Sequence, residues 1–199
     1  MEVFKRITAF RGKDLKRTYG NYYTVLLDRM IKKGIIKKII RGWYTFHEDP
    51  IIFSWKPFFP CYYSLEFALS FYGYYEQFTN IQIVTTRKYG RKEVIFSDGT
   101  KVFLFKISKK LFFGYDFINY ERFKIPIATK EKLLIDLIYF KREVPEYVKI
   151  SLIKDIDMKK LINLLKRIKS KRLRKRVINE LARFLKKDWF EKYAKEHLT

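Results

Sequence analysis

The 199-residue chain is long enough for one ordinary domain or two small ones. With 48% hydrophobic and 19% aromatic residues it can bury a substantial core, which excludes wholesale disorder. One cysteine, Cys61, excludes an internal disulfide, and no apolar run approaches the roughly 18 residues of a membrane span. The net charge of +23 is concentrated in two basic blocks, residues 1–48 and 158–187, which flank a nearly balanced, aromatic-rich middle. Such blocks imply a polyanionic partner: nucleic acid, an acidic protein or an anionic membrane surface. A Lys/Ile-rich composition alone accounts for the lysine content but not for its placement near both ends. The opening MEVFKRITAFRGK lacks the apolar stretch and cleavage site of a signal peptide, so a cytoplasmic location is expected.

In chain order, residues 2–7 read as a short helix with Val3, Phe4 and Ile7 inward, broken by Phe10-Arg11-Gly12. Residues 13–17 suit the positioning helix of a helix-turn-helix, with Leu15 buried and Thr18-Tyr19-Gly20 as the turn. The recognition helix then starts at Asn21, whose side chain suits an N-cap. Tyr23, Leu26, Leu27 and Met30 form its apolar face, Lys32 and Lys33 occupy its last turn, and Gly34 ends it. A β-branched stretch over residues 35–40, a turn at Arg41-Gly42 and a return strand over 43–46 complete the wing.

That placement leaves Asn21, Tyr22, Thr24, Val25, Asp28 and Arg29 off the core face of the recognition helix. Asn21 and Arg29 have the chemistry to read adenine or guanine edges or to contact phosphates, and Tyr22 and Thr24 suit phosphates. Lys37, Lys38 and Arg41 on the wing would lie near the DNA backbone or minor groove. The plainer alternative is that the tyrosines only pack and the lysines only solvate.

His47-Glu48-Asp49-Pro50 marks a boundary, giving a DNA-binding domain over 1–48 and a mixed α/β domain over 50–199. In the second domain, residues 62–72 have helical spacing, with Leu65, Ala68, Leu69 and Tyr72 on one side. Residues 81–86, 92–96 and 100–107 alternate as strands, with a hairpin turn at Ser97-Asp98-Gly99. Residues 111–123 are aromatic and read as irregular, and 125–128 as a short strand. A helix over 130–140 follows, capped by Thr129 with Glu131 in its first turn, and with Leu133, Leu134, Leu137 and Ile138 inward.

Two amphipathic stripes close the chain: Leu161, Leu164, Leu165 and Ile168, then Leu173, Val177, Leu181, Phe184 and Leu185, with a joint at Ser170. Between 159 and 187 the only acid is Glu180, while Lys166, Arg167, Lys169, Lys171, Arg172, Arg174, Lys175 and Arg176 crowd one stretch. A merely solvated face usually mixes signs to gain i,i+4 pairs, so this stretch reads as a face for nucleic acid or a partner.

Catalytic signatures are sparse. A phosphate-binding Gly-rich loop, a nucleophile elbow and an ordinary zinc set are all missing, and no cofactor is implied. Asp155-Ile156-Asp157 has the i,i+2 carboxylates that hold Mg²⁺ in nucleotidyl transfer, but the same acids suit the opening of the helix near Met158.

The succession of segments resembles a known family. A winged helix is followed by Tyr62-Tyr63-Ser64-Leu65, Val84-Thr85-Thr86, Lys106-Ile107-Ser108 and Leu111-Phe112-Phe113-Gly114-Tyr115. IPIATKEKLLIDL over 125–137 and SKRLRKRVINEL over 170–181 then complete the order. That order resembles AbiEi-type antitoxins of type IV toxin–antitoxin systems, with Lys130 standing where the family usually has Pro. The resemblance implies a winged helix that binds and represses its own promoter. It also implies a C-terminal α/β domain with a basic face that opposes a nucleotidyltransferase-like toxin. The sequence thus leads to a non-enzymatic, double-stranded-DNA-binding regulator, acting as a monomer or homodimer on DNA. A stand-alone regulator and a metal-dependent nucleic-acid enzyme using Asp155 and Asp157 are the alternatives.

Overall fold

The computed structural model describes residues 6–76 and 80–184, so most of the expected first helix, and Leu185 of the last stripe, lie outside it. The architecture is mixed α/β, built on a three-stranded sheet and a six-stranded sheet. The chain begins with β1 (Phe10–Arg11), a 3-10 turn (Gly12–Leu15), α1 (Lys16–Tyr19), a second 3-10 turn (Gly20–Tyr22) and α2 (Tyr23–Lys32). The wing strands β2 (Lys37–Ile40) and β3 (Trp43–Thr45) follow, and the sheet order is β1-β3-β2, antiparallel throughout. A second helix and a wing form where the sequence leads one to expect them, but the first helix is a single turn over Lys16–Tyr19 after a 3-10 turn. Thr18 and Tyr19 therefore lie in the helix and not in the connection, which is the 3-10 turn from Gly20.

Local chemistry explains most of these bounds. Leu27 and Met30 of α2 are buried, with Tyr23 and Leu26 packed beside them, on Phe10, Leu15 and Ile36. Gly34, at φ +66°, donates to the Ile31 carbonyl at 2.9 Å while Ile35 donates to Met30 at 2.9 Å, so two otherwise unpaired helix carbonyls are satisfied. The start of α2 differs from expectation. The helix grows out of the 3-10 turn, so Asn21 lies inside that turn, makes no side-chain cap, and uses its carbonyl to accept from Thr24 Oγ1 at 3.4 Å. Phe10–Arg11, read as a break, is a strand because the wing supplies a partner: Phe10 pairs with Tyr44 and Arg11 with Trp43.

The second body contains α3 (Pro50–Phe53), β4 (Cys61–Tyr63), α4 (Leu65–Phe71), β5 (Ile81–Thr85), β6 (Glu93–Ile95) and β7 (Lys101–Lys106). Strands β8 (Tyr115–Tyr120) and β9 (Phe123–Ala128) complete a sheet of order β6-β7-β5-β4-β9-β8. Four helices end the described chain: α5 (Lys130–Tyr139), α6 (Glu146–Asp155), α7 (Met158–Arg167) and α8 (Lys171–Phe184). Two expectations are corrected here. Tyr62 and Tyr63 do not open a helix; they form a strand flanked by β5 and β9, fully buried, and the helix begins only after Ser64. Residues 111–123 are not irregular throughout, because Tyr115–Tyr120 pairs antiparallel along β9.

Helix α5 is the centre of this body, packed against β9, α4, α6, α7 and α8. Thr129 caps it by accepting from the Lys132 N–H at 3.3 Å. Asp157 caps α7, accepting from Lys159 and Lys160 N–H groups at 2.9 and 3.1 Å, and Ser170 accepts from Leu173 at the joint before α8. The two bodies share a seam. Ile39 of the wing is 2% exposed and belongs to the larger core, as does Ala9. The Ile39 carbonyl accepts from the Ser97 N–H at 2.9 Å and from its hydroxyl at 3.3 Å.

Candidate nucleic-acid interface

Helix α2 turns Leu27 and Met30 inward, and this rotation leaves Asn21, Tyr22, Thr24, Val25, Asp28 and Arg29 exposed on its outer surface. Tyr22 and Arg29 lie seven residues apart, about two turns. The Arg29 guanidinium donates to the Tyr22 hydroxyl and lies over its ring, 5.6 Å from the centroid. Arg29 is therefore held along the helix surface by its neighbour. The large apolar Val25, 42% exposed, sits beside this pair with no core to enter.

The wing cations divide. Lys38 and Arg41 are exposed, and neither enters an ion pair among the described residues. Lys37 is half-buried and ion-paired with Glu48, so the expectation of a free wing lysine there is corrected. The cause is the register of the hairpin: Lys37 lies opposite Thr45, and the chain leaves β3 towards Glu48 on that side.

Two cations that sequence reasoning did not single out complete the surface. Arg11 lies over Trp43, 5.0 Å from the ring centroid, and Lys13 is exposed on the 3-10 turn. With Arg41 they line a cleft of about 400 Å³ between the start of α2 and the wing turn, floored by Leu27, Trp43 and Tyr44. Asp28 is the acid in that lining; burial, and after it the Asp28 charge, raises the Tyr44 hydroxyl above its ordinary pKa. The signal that could have found Arg11 and Lys13 is a pair of bases flanking a glycine just where the chain must pass the wing.

The second basic region is carried by α7 and α8. Leu161 and Leu165, then Leu173, Val177 and Leu181, face inward and place Lys166, Lys171, Arg172 and Lys175 in solvent. Arg174 is half-buried. Arg176 is not part of an open face: its guanidinium donates to the Ile138 carbonyl and ties α8 to the end of α5. Glu180 turns aside to Lys149 at 2.7 Å and Arg183 at 3.3 Å. The acid in this stretch is therefore consumed by neighbours rather than laid among the outer cations.

Asp155 and Asp157 line one cavity but are engaged by different partners. Asp155 accepts from Tyr74 at 2.6 Å and Lys130 at 2.9 Å, contacts that hold its carboxyl below the usual carboxylate range, while Asp157 is spent on the α7 cap. Among the described residues no group of three or more His, Cys, Asp or Glu side chains is arranged to hold a metal ion. Among them, too, no helix is long and apolar enough to cross a membrane.

Sequence reasoning also missed the ionic contact inside the larger body. Lys132 and Asp136, one turn apart on α5, are both wholly buried and form an ion pair. Asp136 also accepts from Tyr62 at 3.1 Å and Ser64 at 2.9 Å, and Lys132 lies near the rings of Tyr62 and Phe113. Burial pushes the Asp136 carboxyl up, against the pull of Lys132 and the two hydroxyls. Every charge here has partners, so the group acts as a structural peg rather than a reactive centre.

No protein-family profile matches the chain, and no curated protein matches it. Among solved structures the chain is similar to the RV2827C protein from Mycobacterium tuberculosis, with a TM-score of 0.61 and 13% sequence identity over 96% of this chain and 77% of that one. A likeness at that identity bears on the fold alone.

Proposed function

We propose that this chain is a DNA-binding transcription regulator that engages the duplex through α2 and the wing. The observation that carries this reading is the outer surface of α2, where Asn21, Tyr22, Thr24, Val25 and Arg29 are exposed, together with the exposed wing cations Lys38 and Arg41, of which Arg41 shares a cleft with Thr24 and Asp28. A helix of this kind presents its N-terminal residues to base edges in the major groove, while wing cations neutralise phosphates. Phosphate neutralisation then supplies most of the affinity, and base contacts supply the preference for one sequence. The resemblance to AbiEi-type antitoxins extends the reading to repression of the protein's own promoter and to a nucleotidyltransferase-like toxin as partner. On that reading, the exposed Lys166, Lys171, Arg172 and Lys175 serve as a second contact for DNA or for the toxin.

The test is a salt-varied gel shift on the protein's own upstream DNA against random duplex. Tighter binding to the upstream DNA with a steep salt slope is expected; equal binding to both would overturn sequence-specific regulation. Arg29→Ala should cost about 1–3 kcal/mol on the upstream DNA and little on random duplex. Lys38→Ala should weaken both alike, and equal losses from the two variants would defeat that division of labour.

A further inference from the structure

The cleft between α2 and the wing turn has a composition that the exposed face of α2 does not explain. Arg11, Lys13 and Arg41 line it with Asp28 as the opposing acid, and none of the four takes part in an ion pair among the described residues. Three cations face one open space with a single acid and no direct ion pair among them, so the cleft carries an excess of positive charge and is poised for an anion.

The backbone makes this convergence unavoidable. The Gly12 N–H donates to the Gly42 carbonyl at 3.0 Å, which pins the 3-10 turn against the wing turn. Gly12 can come this close only because it has no side chain: a Cβ there would lie 2.8 Å from Leu27 Cδ1 and 2.9 Å from Tyr44 Cε2. Gly42, at φ +81°, occupies a backbone region that favours glycine and lets the wing reverse immediately after Arg41. Arg11 is then laid across Trp43, and Lys13 and Arg41 reach the same space from the two glycine-bearing turns. Leu27, Trp43 and Tyr44 supply the apolar part of the lining.

We infer that this cleft is the seat of one segment of DNA backbone, with Lys13 and Arg41 closing on phosphates from opposite turns and Arg11 held ready behind them on Trp43. The inference rests on the DNA-binding reading and deepens it by saying where the sequence-independent part of the affinity arises. Asp28 then has a defined effect: its carboxylate opposes the phosphate and keeps non-specific binding weak.

The experiment measures binding by fluorescence anisotropy on upstream and random duplex over a salt series, for the full chain and four variants. Removing a cation that neutralises one phosphate lowers the slope of log K against log salt by about 0.9. Lys13→Gln and Arg41→Gln alter exposed side chains, so their folding is checked by an unchanged melting temperature. Each should lower the slope by about one and weaken both duplexes by the same factor. Lys32→Gln, on the exposed part of α2 outside the cleft, should leave the slope unchanged. Asp28→Asn should tighten binding to both duplexes. Equal slope losses for Lys13→Gln, Arg41→Gln and Lys32→Gln would reduce the effect to net charge and overturn the seat. So would unchanged slopes in the two cleft variants while the unaltered protein binds DNA normally. A loss of affinity for upstream DNA alone in Asp28→Asn would put a base edge, not a phosphate, beside that residue and overturn the seat as well. An unaltered protein that binds no duplex would bring down the DNA-binding reading and the seat together.

Discussion

The two bodies of this molecule handle charge in opposite ways. The winged body closes on a small core of Phe10, Leu15, Leu27, Met30 and Ile36 and leaves its cations outside, several without a counter-ion among the described residues. The sheet body takes Lys132 and Asp136 into its interior and satisfies them with Tyr62 and Ser64. Charge in the first body is therefore available to a ligand, whereas the buried charge of the second fixes how α5 sits against β4, and the outer faces of α7 and α8 leave further cations in solvent. The shape of the first body depends instead on glycine, at the places where backbones touch.

Breaking each body at its own determinant sharpens the contrast. The largest effect should come from Asp136→Ala, which leaves the Lys132 ammonium buried and two hydroxyls without their acceptor. Removing one partner of a buried pair costs about 3–5 kcal/mol, read as a lower denaturation midpoint in urea. A loss below about 1 kcal/mol would mean that Lys132 finds water and that the pair does not hold the sheet body. Gly12→Ala should cost about 1–3 kcal/mol, because Leu27 or Tyr44 must move to admit the methyl group. Hydrogen exchange should then show amides of α2 and β3 losing protection while those of α5 keep theirs. Equal loss in both bodies would show the seam at Ile39 to be stiff enough to make them one unit. The smallest effect, about 1 kcal/mol, is expected for Asp157→Ala, which removes the α7 cap but neither core. A urea midpoint unmoved by that change would mean that water satisfies the two N–H groups equally well.

What could be read from the sequence follows the same division between local and distant causes. The wing, the strands β5, β6 and β7, the Ser97-Asp98-Gly99 turn and the helices α5, α7 and α8 are written in alternation, spacing and caps within a few residues. β1 could not be read, since two residues carry no period and become a strand only against Trp43 and Tyr44. β4 was hidden by helical spacing that continues into Tyr62 and Tyr63, and a strand buried on both faces shows no alternation to correct it. The exposed residues of α2 followed from its apolar face, but the partners of Lys37 and Arg176 depend on register and on packing between distant segments. Lys132 and Asp136 did leave a trace, two opposite charges at i,i+4, which has the same appearance on a solvated helix. What distinguishes them is that α5 has neighbours on nearly every side.

The seam at Ile39 also has a consequence in time. The pairings within the winged body lie within residues 10–45, so this body can close early in synthesis. β4 must wait for Ile127 of β9 before its parallel side is paired, and such distant closures come slowly. During that interval the carbonyl of Ile39 lacks Ser97, and its side chain lacks the core that later covers it. A nascent chain halted before Ser97 emerges would thus carry a finished α2 on a wing with an uncovered apolar residue. Such a species is where premature association with other chains would begin.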